Sequence, residues 1–311
     1  MFWLLRRSTE PSVTSVECYW RKPTLAKVGS SLKAAKLNEL FKNVPPVASH
    51  NNSFLKKLLE KGLENKSKGI LFEYYKTEEN AIDKVSLYHL INKFVRNSSS
   101  ITAENFIQYC QQEMNDQPCK EILNQTKDQS NTGTWFEIRY AHITAWKFYE
   151  AAQSTTYDGC LVESILGAAK FKSTKAMKRG LSLEDKVLKV VARKKLIKVE
   201  KVGIFVDKRY PIFGASPDAV NAEFCIEIKC PSKESTLKQY LNGGVIGKKP
   251  FAQIQLQMLF SGRKKGLFCV ASPNFEVNKD VSIVEVELDI FFVRICCKKQ
   301  LCFGKKLSSQ N

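Results

Sequence analysis

The chain has 311 residues, of which 43% are hydrophobic and 26% charged, so it can bury a sizeable core and is not a mini-protein, a collagen-like chain or a largely disordered one. Lysine and arginine number 49 against 31 aspartates and glutamates, which gives a net charge of +18. Such a surplus attracts polyanions and favours a nucleic acid or another anionic surface as partner, with a dispersed basic surface as the alternative.

No segment predicts secretion or a membrane span. Residues 1–5 are apolar but too short for a signal peptide, and the apolar run at 290–297 is interrupted by Arg294. The ten cysteines include no CxxC pair and lie far from the three histidines, so no zinc cluster is expected. We therefore expect an intracellular protein, nuclear or cytoplasmic, with reduced thiols and no membrane partner.

Residues 1–125 predict a mainly helical N-terminal extension of unknown role. Apolar residues recur at helical spacing in Phe54–Leu59 and again in Leu87–Phe94. The polar run Thr126–Thr134 indicates a loop. We place a domain boundary after residue 125, with residues 126–311 as the second domain.

The second domain predicts helices alternating with strands. Helices are expected at 135–152, 182–195 and 250–262, and strands at 202–206, 210–213, 223–229, 266–272 and 281–288. This order predicts an α/β fold with a central mixed β-sheet flanked by helices.

The segment Gly214–Pro231 carries the most informative pattern. Side chains alternate along a strand, so Glu227 and Lys229 share one face. Asp218 lies in a turn just before this strand, and Pro217 constrains that turn, so the two carboxylates can meet. Taken alone, Glu227 and Lys229 could equally form an ordinary surface ion pair.

Clustered carboxylates predict a divalent metal site. Mg²⁺ prefers oxygen ligands, and Mn²⁺ is the alternative. Lys229 would stabilise a metal-bound water or help to deprotonate it. Glu184 lies on an otherwise core-facing helical stripe and is a candidate third carboxylate, although the helix dipole also favours an acid in a first turn.

Three separated motifs together resemble one nuclease family. GASPD at 214–218, EIKCP at 227–231 and G-x-x-x-E at 180–184 resemble the YqaJ-like viral recombinase family, the lambda-exonuclease type of PD-(D/E)XK nuclease. The resemblance implies a restriction-endonuclease-like core. It also implies metal ligation by Asp218, Glu227, Glu184 and the Ile228 carbonyl, with Lys229 as a catalytic residue.

Two further segments extend the resemblance. AQIQ at 252–255 resembles a helix that follows the family's lysine, which puts Gln255 in the active-site neighbourhood. W-x-x-x-R at 135–139, followed by ITA, resembles a segment that contacts a DNA 5′-phosphate, which makes Arg139 a phosphate-binding candidate.

Two positions depart from the family pattern. Trp146 stands where the family has a serine, so a hydroxyl donor is missing from the 5′-phosphate contact. Ser235 stands where some members have an arginine, and Lys233 is the candidate to replace it in binding nucleic acid.

The resemblance implies a metal-dependent deoxyribonuclease, most simply a 5′ to 3′ exonuclease in DNA recombination, repair or mobile-element metabolism. It also suggests a homotrimer. A structure-selective endonuclease with the same core stays open, as does a DNA-binding protein with a vestigial nuclease site.

Two other patterns are given structural interpretations. The run 242–249 looks like a P-loop, but its glycine spacing is one residue short and Lys249 stands at the Ser/Thr position. Trp135, Trp146 and Tyr149 are expected in the core rather than as base-stacking platforms.

Overall fold

The structure is a computed structural model that describes residues 53–65, 80–155, 159–167 and 174–298. The chain divides into two compact units, 1–78 and 79–311. In the first unit, the described residues form one helix, α1 (Ser53–Glu64). The predictions for residues 1–52 lie outside the described residues, as does the side chain of Phe54.

The second unit begins with four helices: α2 (Ala81–Val85), α3 (Leu87–Asn97), α4 (Ala103–Glu113) and α5 (Asp116–Gln125). The apolar stripe predicted along α3 is confirmed, because all four of its residues are buried: Leu87, Leu90, Ile91 and Phe94. A single apolar face therefore attaches α3 to its neighbours.

The end of α5 packs against the segment that precedes the strand at 205–206. The Thr126 hydroxyl donates to the Ile122 carbonyl at 2.7 Å and accepts from the Ile204 amide at 3.0 Å. A Cβ at Gly203 would lie 2.2 Å from the Thr126 hydroxyl oxygen, so only glycine fits there. Helices before and after residue 125 thus share one compact unit, and the boundary placed there stays a prediction.

The single helix predicted at 135–152 is wrong. The chain instead forms a 3₁₀ turn (Gln129–Asn131), α6 (Gly133–Arg139), a short strand β1 (Ile143–Thr144) and α7 (Ala145–Gln153). The break has a local cause, because Ala141 has φ of 62°, outside the right-handed helical region, and β1 then pairs with a distant strand. A further helix, α8, covers Cys160–Ile165.

The remaining elements confirm the α/β fold with mixed sheets. They are α9 (Lys175–Lys195), β2 (Phe205–Val206), β3 (Phe213–Ala215), β4 (Ala219–Val220), β5 (Phe224–Lys229), α10 (Glu234–Tyr240), β6 (Leu241–Asn242), β7 (Val245–Ile246), α11 (Lys248–Ser261), β8 (Lys265–Ala271), α12 (Phe275–Asn278) and β9 (Val281–Glu287). Residues 290–298 are also helical.

The strands form two mixed sheets and a hairpin. One sheet has the order β1-β3-β2 and the other the order β4-β5-β8-β9. In the larger sheet β5 and β8 are parallel, whereas β4 and β9 run antiparallel to their neighbours. The segment with the P-loop-like glycines is the β6–β7 hairpin, whose turn residues Gly243 and Gly244 have φ of 57° and 83°.

Helices α9 and α11 cover opposite faces of the larger sheet. Leu183, Val187 and Val191 of α9 pack in one core with Ile226 and Ile228 of β5. Ile254 and Met258 of α11 pack in another core with Cys225. The alternation predicted for β5 is therefore confirmed, and both faces of the strand are buried.

Helix α11 also reaches the smaller sheet. Its Ala252 and Leu256 pack in a third core with Phe148 of α7 and Phe213 of β3. Helix α11 is thus buried nearly all round, which is why its sequence has no polar face.

Two expectations concern the chain as a whole. None of the helices in the described ranges is both long enough and apolar enough to span a bilayer. All eight cysteines within those ranges are free thiols, and five of them are buried.

Candidate active site

Glu227 is the centre of the candidate site and is only 3% exposed. Its Oε1 accepts hydrogen bonds from the Lys229 Nζ and the Gln253 Nε2, both at 2.6 Å. Its Oε2 accepts one from the Gln257 Nε2 at 2.7 Å. A charged group this deeply buried requires such partners, and β5 and α11 supply all three.

Asp218 is attached to the same strand. Its Oδ2 accepts a hydrogen bond of 2.6 Å from the Ile228 amide, and its own amide donates to the Ile226 carbonyl at 3.1 Å. The turn that contains Pro217 brings Asp218 alongside β5, where the sequence places Glu227. Asp218 directly precedes β4, and Glu227 lies in β5, which pairs with β4 in antiparallel orientation.

Gln129 supports this turn from the 3₁₀ segment that the sequence indicated only as a loop. Its side-chain amide donates to the Pro217 carbonyl and to the Val202 carbonyl, both at 3.1 Å. Gln129 has φ of 44°, a conformation that a non-glycine residue adopts rarely. No motif in the sequence marked this residue, because its partner is 88 positions away.

A pocket of about 330 Å³ opens at the C-terminal end of β5. The four predicted side chains Glu184, Asp218, Glu227 and Lys229 all line it. The other lining residues are Ala176, Met177, Gly180, Ile228, Cys230, Pro231, Ser232, Thr236 and Tyr240. Residues of α9, the Asp218 turn, β5 and α10 thus contribute to one concave surface.

Arg179 of α9 fixes the end of β5. Its guanidinium makes five hydrogen bonds, to the carbonyls of Cys230, Pro231 and Pro273 and to both carboxylate oxygens of Glu276. Because Glu184 follows Arg179 on the same helix, the helix that carries one pocket acid is attached directly to the strand that carries Glu227.

The pKa values of two acids in the pocket, Asp218 and Glu184, are raised by burial and by neighbouring carboxylates. Burial raises the pKa of Asp218 well above its ordinary value, and the charges of Glu227 and Glu184 raise it further. Burial and the charge of Glu227 likewise raise the pKa of Glu184. Each of these two carboxyls therefore ionises less readily than a carboxyl in water unless a cation joins them.

Lys229 is the cation already present. Burial alone would lower its pKa, but the carboxylates of Glu227 and Asp218 raise it above the ordinary value. Lys229 is therefore an ammonium group at neutral pH. As a cation it can stabilise negative charge, whereas it cannot accept a proton.

The donor atoms suit a hard divalent cation, since the side chains and the Ile228 carbonyl offer only oxygens and the acids repel one another. Among the described residues, however, no three Asp, Glu, His or Cys side chains form a group that could hold a metal ion. In this arrangement both oxygens of Glu227 and one of Asp218 accept hydrogen bonds from protein groups.

Gln255 is directed away from the acids. Its Nε2 donates to the Glu287 carbonyl at 2.8 Å and its Oε1 accepts from the Asp289 amide at 2.7 Å. Gln253 and Gln257 are four residues apart on one face of the helix, and Gln255 lies between them on another. The two glutamines that contact Glu227 are thus the ones that the sequence analysis did not select.

The predicted phosphate-binding residues lie at different places. Lys233 is exposed, and its neighbour Ser232 lines the pocket. Arg139 ends α6, with its guanidinium carbon 4.1 Å from the ring centroid of Trp135. Burial lowers the pKa of Arg139 to about 10, and within the described ranges no acidic side chain pairs with it.

Trp146 does not belong to the core, contrary to expectation. It is 38% exposed, and the Lys229 Nζ lies 4.9 Å from its ring centroid. Tyr149, on the same helix, does pack against the core around Phe148.

The sequence matches the model of one protein family. Residues 119–264 match the model of the YqaJ-like viral recombinase domain. This part of the chain belongs to that family. No curated protein matches the sequence. The YqaJ-like domain thus extends from α5 to the start of β8 and includes every predicted site residue.

Solved structures similar to the chain include an alkaline exonuclease from Laribacter hongkongensis, with 21% identity over 58% of this chain and 94% of that one and a TM-score of 0.49. A phage-related exonuclease from Haemophilus somnus has 11% identity over 55% and 96%, with a TM-score of 0.40. The shutoff and exonuclease protein of Kaposi's sarcoma-associated herpesvirus has 12% identity over 74% and 82%, with a TM-score of 0.43. These likenesses are weak, and the family assignment depends on the sequence match.

Proposed function

We propose that the chain is a metal-dependent deoxyribonuclease that hydrolyses phosphodiester bonds of DNA. One observation carries the proposal: three carboxylates and an ammonium group, drawn from three separate stretches of sequence, line a single pocket in a YqaJ-like domain. Clustered groups that shift one another's pKa are typical of catalytic sites.

The metal ligands would be Asp218, Glu227, the Ile228 carbonyl and Glu184, with Mg²⁺ as the ion and Mn²⁺ as an alternative. Such an ion, when bound, supplies an activated water and offsets charge on the phosphate. Glu227 would be kept in position for this by Gln253 and Gln257.

Lys229 would act on the phosphate by its charge. The raised pKa keeps it protonated, so it would stabilise the negative charge that develops as the bond to phosphorus breaks. A role in deprotonating water, which the sequence leaves open, is less suited to a protonated lysine whose Nζ donates a hydrogen bond to the Glu227 Oε1 at 2.6 Å.

DNA as the substrate is supported by the family match and by the charge of +18. Exonuclease action in recombination, with 5′ to 3′ polarity, is part of the proposal and follows from the family resemblance. Roles in repair or mobile-element metabolism, trimer formation and a nuclear or cytoplasmic location are further parts of it. Residues 1–125 would be an extension with a separate role.

Digestion of linear duplex DNA with defined ends tests the proposal. The purified full-length protein should degrade it in Mg²⁺ or Mn²⁺ and should stop when EDTA is added. Cleavage that continues in EDTA would contradict a metal-dependent site. Absence of cleavage with intact DNA binding would favour the vestigial-site alternative.

Covalently closed circular DNA separates the two nuclease alternatives. An exonuclease requires an end and should leave the circle intact while it degrades the same molecule after linearisation. Nicking or linearisation of the closed circle would instead identify a structure-selective or restriction-like endonuclease. End-labelled substrates then give the polarity.

A further inference from the structure

The indole ring of Trp146 contacts the ammonium groups of two lysines at the edge of the proposed site. The Lys249 Nζ lies 3.9 Å from the centroid of its ring, and the Lys229 Nζ lies 4.9 Å from the same centroid. Ammonium groups at such distances are attracted by the electron-rich face of an indole. The two nitrogens therefore lie no further apart than the sum of these distances, which is the scale of the spacing between neighbouring phosphates of one strand.

Lys249 also forms an ion pair. Its Nζ contacts the carboxylate of Glu150, which lies one helical turn after Trp146 on α7. Residues four apart on a helix present neighbouring side chains. Helix α7 thus positions Lys249 from two sides, although the lysine belongs to α11.

Two further cations, Lys147 and Arg139, belong to the same neighbourhood as Lys249. The pKa of Lys147 is lowered, first by burial and then by the charges of Arg139 and Lys249, although Glu150 opposes these effects. Neighbouring cations that repel one another are stabilised together when an anion binds between them. This basic group borders the pocket through the contact of Trp146 with Lys229.

We propose that Lys249, positioned by Trp146 and Glu150, binds the DNA phosphate next to the one that Lys229 contacts. The inference rests on the proposed nuclease function and adds a substrate-binding residue to it. It also accounts for Trp146, which stands where the family pattern has a serine. The indole ring positions Lys249, and the lysine then makes the phosphate contact in place of the missing hydroxyl.

The test is binding of a short 5′-phosphorylated DNA duplex to the full-length protein in EDTA, measured by fluorescence anisotropy at several salt concentrations. Lys249→Ala should weaken binding roughly tenfold and reduce the slope of log Kd against log salt by about one. The matched control is Lys248→Ala, which removes the same charge from the exposed neighbouring residue and should stay within about twofold of wild type.

Further variants separate charge from packing. Lys249→Arg keeps the cation and should bind within about threefold of wild type, because a guanidinium also contacts phosphate and aromatic faces. Trp146→Leu should weaken binding like Lys249→Ala, whereas Trp146→Phe, which keeps an aromatic face, should recover most of the affinity. Melting temperatures of all variants show whether each has folded.

Cleavage assays give a second readout. Lys249→Ala should raise KM roughly tenfold and change kcat by less than about threefold, because a contact made equally in ground and transition states affects binding only. Equal binding by Lys249→Ala and Lys248→Ala would overturn the inference, and so would a wild-type protein that does not bind DNA. Because binding in EDTA requires no cleavage, an inactive protein that shows the predicted binding pattern would refute only the nuclease proposal.

Discussion

The two helices that cover the larger sheet differ in chemistry. Helix α9 faces β5 with apolar side chains such as Val187 and Val191, both fully buried. Helix α11 brings two buried glutamine amides to Glu227 on the other face. The apolar contact contributes stability in proportion to its buried area, whereas the amides satisfy a charge that would otherwise be costly to bury. The face of β5 under α9 is thus an apolar core, whereas the face under α11 holds the Glu227 carboxylate in place.

The largest expected effect is on the site itself. Lys229→Ala and Asp218→Asn should each lower kcat roughly 10²- to 10³-fold, because the first removes the ammonium group that stabilises charge developing in the transition state and the second removes a proposed metal ligand. Single-turnover digestion of linear duplex measures this. Lys238→Ala, at an exposed position on α10, should cleave normally. Turnover in Lys229→Ala equal to that of Lys238→Ala would refute the role of the ammonium group.

The apolar face should respond in stability alone. Leu188→Ala leaves a cavity in the core under α9 and should lower the free energy of unfolding by roughly 2 to 5 kcal/mol. Denaturant unfolding measures this, and kcat per folded molecule should be unchanged. A large fall in kcat at full folding would show that the two faces are not independent.

His142 contrasts with the glutamines, because it is buried and no side chain in the described ranges pairs with its ring, which has only backbone groups of Ile138, Tyr140 and Pro211 near it. Burial lowers its pKa from 6.5 to about 4. The unfolded chain therefore binds the proton more readily, and stability should be lost as the pH falls from about 6.5 towards 4, by about 3 kcal/mol in total.

Urea unfolding of the wild type and of His142→Phe across this pH range measures that dependence. The variant should lack the part of the slope that is due to the imidazole. If the two proteins lose stability in parallel, His142 is not the group responsible.

The smallest effect distinguishes the glutamines of α11. Gln253→Leu should lower kcat roughly tenfold, because Glu227 loses a hydrogen bond to its charged oxygen. Gln255→Leu should instead lower the free energy of unfolding by about 1 to 3 kcal/mol and leave kcat near that of wild type, because it breaks contacts with the backbone at 287 and 289. The reverse result would return the catalytic role to Gln255, as the sequence had suggested.

The sequence was sufficient where local periodicity decides structure. The strand period of two correctly divided β5 into an apolar set and a set with Glu227 and Lys229. The turn chemistry of Pro217 placed Asp218 beside them. Both arguments need only neighbouring residues, which is why they hold without knowledge of the rest of the chain.

Other features depend on contacts that no local pattern contains. Three glutamines at 253, 255 and 257 lie on a helix buried nearly all round, so periodicity could not select the pair that contacts Glu227. The break before His142 requires a left-handed alanine, which helix propensity does not predict. The partly exposed Trp146 contacts Lys249, which is more than one hundred positions away in the chain, so no local pattern could predict this contact.

The hydrogen bonds of Arg179 have a consequence for access. Separating α9 from the end of β5 would break all five hydrogen bonds of this guanidinium, three of them to backbone carbonyls. In the proposed nuclease, a strand would therefore enter the existing pocket, which residues of both α9 and β5 line, without moving these two elements apart.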